Sequence, residues 1–66
     1  MINPLKLKRL EKGMTQYQVA YATGVPQVKL SYAERGYPAL TLKQKLLLVD
    51  YFNSSIEELF QEVIYE

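Results

Sequence analysis

The chain is punctuated for helix ends more densely than one long helix or any sheet would tolerate. Asn3-Pro4, "TQYQ" at 15 to 18, "TLKQ" at 41 to 44 and "SIEE" at 55 to 58 each place a side-chain oxygen where it caps free backbone N–H groups. The last three have the capping-box spacing, in which the fourth residue reaches back to the first. Pro4 suits a first helical position, where its missing N–H costs nothing. Gly13, Gly24 and Gly36 fall where helices should stop in a left-handed residue, and Pro38 keeps the chain after Gly36 out of helix. These signals predict helices at 4 to 12, 15 to 22, 26 to 34, 41 to 52 and 55 to 63. No segment sustains two-residue alternation, so the fold class is all-α. Apolar spacing assigns the core to Leu7, Leu10, Met14, Val19, Ala20, Val25, Leu30, Leu42, Leu46, Val49, Ile56, Leu59, Phe60 and Val63.

Sixty-six residues suffice for a single small domain, near the size at which a hydrophobic core alone still folds. The absence of cysteine and histidine removes disulfides, thiol nucleophiles, Cys/His zinc sites and the commonest general base. No enzyme, metal, cofactor or small-molecule ligand is therefore expected. "MINPLKLKRLEKG" lacks a signal-peptide core and no apolar run reaches membrane-spanning length, so a cytoplasmic protein without a membrane partner is expected. The net charge of +1 conceals a segregation. Residues 1 to 45 hold all eight cations against Glu11 and Glu34, whereas residues 46 to 66 hold five acids and no cation. Kept on separate faces, the halves would leave one side basic enough to attract phosphates; packed together, they would neutralise each other.

Within "TQYQVAYATGVPQVKLSYAERG", two helices are separated only by Thr23-Gly24-Val25. Short helices joined by a three-residue turn containing glycine form a helix-turn-helix. Gly24 lets the chain reverse steeply, Pro26 fixes the backbone where the second helix begins, and Ala20 is small enough for the helices to approach closely. This segment resembles the helix-turn-helix of the phage Cro/repressor (XRE-like) family in its Thr-Gln start, its Ala four residues before Gly-Val and its closing Glu-Arg-Gly. Arg9 ahead of Gly13 and the ending "NSSIEELF" resemble the family's first and last helices, extending the likeness over about residues 5 to 60. It implies a compact five-helix, lambda-repressor-like domain spanning 1–66, with the motif at about 15–36 and a C-terminal helix and tail at about 55–66. Thr23 and Ala33 are smaller than the family's usual apolar residues. The core there is expected to be thinner, or rebuilt by Met14 or a tyrosine; Tyr17 and Tyr21, which share a face of the second helix, are read as its cover or as a contact surface for another protein.

The resemblance implies that helix 26–34 enters the major groove, with Gln27, Val28, Lys29 and Tyr32 as base contacts. Gln27 suits adenine, Lys29 guanine and Val28 a thymine methyl. Val28 also admits a partly buried structural role, Lys29 that of a solvated lysine, and Tyr32 a contact with sugar or phosphate rather than a base. Gln16, at a helix N-terminus, is the leading phosphate contact, followed by Arg9, Arg35, Tyr37 and Lys43. Arg9 is expected to form an exposed pair with Glu34 that places the arginine toward DNA, while Lys6, Lys8 and Lys12 are read as the solvated face of helix 1. The function implied is a sequence-specific double-stranded DNA-binding transcriptional regulator, a repressor or Cro-like protein, acting as a homodimer. Phe60, Val63, Ile64 and Tyr65 are the candidate dimer or partner surface, with core packing the other reading for Phe60. The competing function is a helix-turn-helix-derived interaction module, antirepressor- or antitoxin-like, that does not read DNA; the tyrosine content and the apolar tail favour it.

Overall fold

The computed structural model describes residues 3–61 as five helices: α1 Pro4–Glu11, α2 Gln16–Thr23, α3 Gln27–Glu34, α4 Leu42–Tyr51 and α5 Ile56–Phe60, with no strand among these residues. The caps act as their spacing predicts. Asn3 Oδ1 accepts from the N–H groups of Leu5 and Lys6, and full capping boxes form at Thr15/Gln18 and Thr41/Gln44. At α5 the box is only half made: Ser55 accepts from Glu58 N–H, while the Glu58 carboxylate forms an ion pair with Lys8 at 3.1 Å. Helix α5 also ends earlier than expected, because Gln61 turns left-handed at φ 55° immediately after Phe60. Val63, Ile64 and Tyr65, assigned to a dimer or partner surface, lie outside the described residues.

Gly24 adopts φ +80°, and a Cβ built there would meet nothing within 4 Å. Its requirement is conformational rather than steric, the left-handed residue being what reverses the chain between α2 and α3. Replacing Gly24 by alanine is expected to destabilise the domain by about 1–2 kcal/mol, the cost of a left-handed L-residue, in urea unfolding followed by circular dichroism. Loss of α2–α3 packing beyond that would instead show crowding at the turn.

The core is Leu5 from α1, Val19 from α2, Val25 from the turn, Leu30 and Ala33 from α3, Leu48 and Phe52 from α4 and its cap, and Leu59 from α5. Met14, Ala20, Val49 and Phe60 pack against it, partly buried. Leu7 and Leu10 were expected inside but are exposed. The inward stripe of α1 runs through Leu5 and Arg9, four apart, and a residue two positions from Leu5 falls on the opposite side. Leu42 and Leu46 are likewise exposed, since α4 turns Leu48 inward and its cap Phe52 follows four residues on. Thr23 is held by backbone groups of its own motif, and Met14 is met separately by Tyr51 of α4. The Thr23 hydroxyl donates to Val19 O and accepts from Val25 N–H, and Tyr51 reaches the Met14 sulfur at 3.1 Å. Tyr17 and Tyr21 do not cover this region, being 71% and 94% exposed.

Candidate nucleic-acid interface

Helix α2 packs against α3 across the Gly24 turn, and α3 is anchored by Leu30 and Ala33. Three positions apart, these residues fix which side of α3 faces inward and leave Val28 and Tyr32 exposed on the other, with Gln27, Lys29 and Ser31 half-buried at its margins. Pro26 is the N-cap and contributes no side-chain bond, so the residues at the start of α3 are held by other means.

Those means are a polar chain joining three helices. Arg9 on α1 forms a bidentate pair with Glu34 at the end of α3, Nε to Oε2 at 2.7 Å and Nη2 to Oε1 at 3.0 Å. Its Nη1 donates to Met14 O at 2.7 Å. Gln16, first residue of α2, donates through Nε2 to Glu34 Oε1 at 3.1 Å, and its Oε1 accepts from Gln27 Nε2 at 2.8 Å. The ends of α3 are thereby linked through the start of α2, and Gln27 is held on the side chain of Gln16.

The pair at the root of this chain is buried, with side-chain exposures of 11% for Arg9 and 3% for Glu34. The expectation of an exposed pair presenting Arg9 to DNA is corrected accordingly: the guanidinium is directed into Glu34 and the Met14 carbonyl. Glu34's hydrogen bond raises the Arg9 pKa further above its already high ordinary value, outweighing the opposing effect of burial, so Arg9 remains a cation wherever the protein is folded.

The donor count at the two glutamines has a chemical consequence. Gln16 uses its carbonyl oxygen on Gln27 and one amide hydrogen on Glu34, which leaves one amide hydrogen and its backbone N–H for an outside acceptor. Gln27 uses one amide hydrogen, which leaves the other and the carbonyl oxygen. One donor and one acceptor side by side complement the N7 acceptor and N6 donor of adenine.

Beyond α3, Arg35 and Tyr37 are exposed, as is Lys43 in α4. The two charge-segregated halves do meet, at Lys8 and Glu58 across α1 and α5. That hydrogen bond from Lys8 is the main reason the Glu58 carboxyl titrates below its ordinary range. Lys29 and Arg35, on and beside α3, form no ion pair among the described residues. Phe60 is half-buried, packed on the core with the Lys45 ammonium 5.6 Å from its ring centroid.

A helix-turn-helix family model of the Cro/C1 (XRE) type matches residues 5–59, most of the chain and the whole polar chain from Arg9 to Glu34. The chain belongs to the Cro/C1-type helix-turn-helix family. Neither the curated proteins nor the solved structures yield a match to it. The family is one of DNA-binding regulators, typically without enzymatic activity, and its fold accounts for the five helices seen here. Among the described residues of this helix-turn-helix protein, no helix is long and apolar enough to cross a membrane.

The sequence placed Gln27, Val28, Lys29 and Tyr32 on one helix, and all four lie along its surface in the folded chain. It missed the links from Gln16 to Glu34 and Gln27. Their sequence separations are 18 and 11 residues, outside any local capping pattern, and only the α2–α3 crossing brings them together.

Proposed function

We propose that this Cro/C1-type protein is a sequence-specific transcriptional repressor that occupies duplex DNA as a homodimer and inserts α3 in the major groove. The observation that carries the reading is the orientation of Gln27, braced by Gln16 on a buried Arg9–Glu34 pair, with its remaining donor and acceptor unused among the described residues. Gln27 reads adenine, Lys29 reads guanine, and exposed Val28 meets a thymine methyl. Tyr32 lies one turn further along, outside the base-reading set. Gln16 takes a phosphate with its remaining N–H groups, while Arg35 and Lys43 follow the same strand beyond α3. Arg9 acts through Glu34. One module makes few base contacts, so operator affinity requires two copies on half-sites about one helical turn apart.

Selection of bound duplexes from a random-sequence pool tests this. The expected result is a two-fold symmetric motif with that half-site spacing. The interaction-module alternative draws on a separate observation, the exposure of Tyr17 and Tyr21 on one face of α2. A folded protein that enriches no sequence would favour that alternative and direct attention to those tyrosines.

A further inference from the structure

Arg35 caps the C-terminus of α3 between two aromatic rings. Its guanidinium carbon lies 4.8 Å from the centroid of Tyr32 and 5.8 Å from that of Tyr37. The rings meet edge to face, with centroids 6.1 Å apart and planes at 80°. The backbone fixes this spacing: the N–H groups of Arg35 and Tyr37 both donate to Tyr32 O, at 3.1 and 3.0 Å, and Gly36 makes the turn between them at φ +89°. Ser31 completes the hold, its carbonyl accepting from Arg35 Nε at 3.3 Å and its hydroxyl from Nη2 at 3.5 Å.

Three features of this cluster bear on what Arg35 can bind. Among the described residues it forms no ion pair with a carboxylate, unlike Arg9 and Lys8. It is restrained on two aromatic faces, although a solvated arginine gains rotamer freedom by leaving them. Its Nη1 makes no hydrogen bond among those residues, so an unneutralised cation with free donors is held still at the end of the helix that carries Gln27. Held arginine forks with open donors suit a planar or tetrahedral oxyanion, and the one such group that recurs beside a helix lying in a major groove is the backbone phosphate of duplex DNA.

We infer that Tyr32 and Tyr37 are positioning residues: their rings hold the Arg35 guanidinium for one phosphate of the duplex, and their hydroxyl groups are dispensable for that role. This rests on the reading of the protein as a duplex-DNA binder and gives Tyr32 a task other than base reading. The arrangement lowers the entropy lost by Arg35 on binding without adding a charge, so its signature separates affinity from salt dependence.

The experiment is titration of a fluorescein-labelled random-sequence duplex at several salt concentrations, with circular dichroism confirming the fold of each variant. Arg35→Ala should weaken binding about tenfold, as expected for a lost charge-assisted hydrogen bond, and reduce the magnitude of the log–log salt slope by about 0.9. Tyr32→Leu with Tyr37→Leu should weaken binding about fivefold and leave the slope unchanged, because Arg35 still meets its phosphate. The matching pair of Phe substitutions should bind like the unaltered protein. An unchanged slope in Arg35→Ala would overturn the phosphate assignment, and a Phe pair as weak as the Leu pair would move the role from rings to hydroxyls; either sinks the inference alone. Failure of the unaltered protein to bind any duplex would sink the DNA-binding reading with it.

Discussion

Glu34→Ala is expected to destabilise the domain by about 3–5 kcal/mol, the usual cost of removing one partner from a buried ion pair. The carboxylate accepts from Arg9 through both oxygens and from Gln16, so its loss leaves a guanidinium under the protein surface with only the Met14 carbonyl to answer it. A domain of this size typically has only about 3–5 kcal/mol of stability from its core. Urea unfolding at 25 °C should therefore find the variant largely unfolded before denaturant is added. Replacing both partners, Arg9→Met with Glu34→Leu, should recover most of the loss, since two apolar side chains of similar volume remove the stranded charge. A single substitution costing under about 1 kcal/mol would mean that the pair behaves as a surface salt bridge and that the chain from Arg9 to Gln27 has no rigid root.

That pair marks the boundary between what is legible in the sequence and what is not. Capping depends on residues three apart, and Thr15, Thr41 and Ser55 each cap the N–H group their spacing implies. Glycine stops are equally local, and Gly13, Gly24 and Gly36 all take positive φ. Which side of a short helix faces inward is set by its neighbours. On an eight-residue helix such as α1, the leucines at 5, 7 and 10 permit more than one apolar stripe. The one adopted runs through Leu5 and a charged residue, Arg9, because Glu34 on another helix makes that arginine's burial tolerable. The Arg9–Glu34 partnership could be expected from the family's pattern, but its depth could not.

Similar reasoning separates the two kinds of tyrosine. Tyr17 and Tyr21 are four residues apart and thus share a face, as their spacing implies, yet Val19 alone turns that helix's side chains fully inward and leaves them in solvent. Tyr51, distant in sequence, does the packing near Met14 instead. At the surface of α3, by contrast, register is controlled by Leu30 and Ala33, whose inward position was readable for Leu30 and follows for the rest of the helix.

Gln27→Ala should weaken binding to a selected operator by about 1–3 kcal/mol, roughly five- to 150-fold, and relax selection at one base pair of each half-site while leaving the others intact. The position lost should be an adenine, because the amide of Gln27 retains one donor and one acceptor after its bond to Gln16. Gln16→Ala provides the complementary test. It removes the acceptor that steadies Gln27 and one phosphate donor together, so binding should weaken at every sequence and preference should blur at that same base pair. In the double variant the two losses should fall short of their sum, since the bracing of Gln27 has no value once Gln27 is gone; the shortfall measures the coupling between the residues. Strict additivity, with unaltered preference in Gln16→Ala, would show that Gln27 finds its base unaided and that the polar chain serves stability alone. Relaxation at a guanine instead would reassign the adenine reading and point to Lys29, two residues along the helix, as the side chain displaced by the loss of its neighbour.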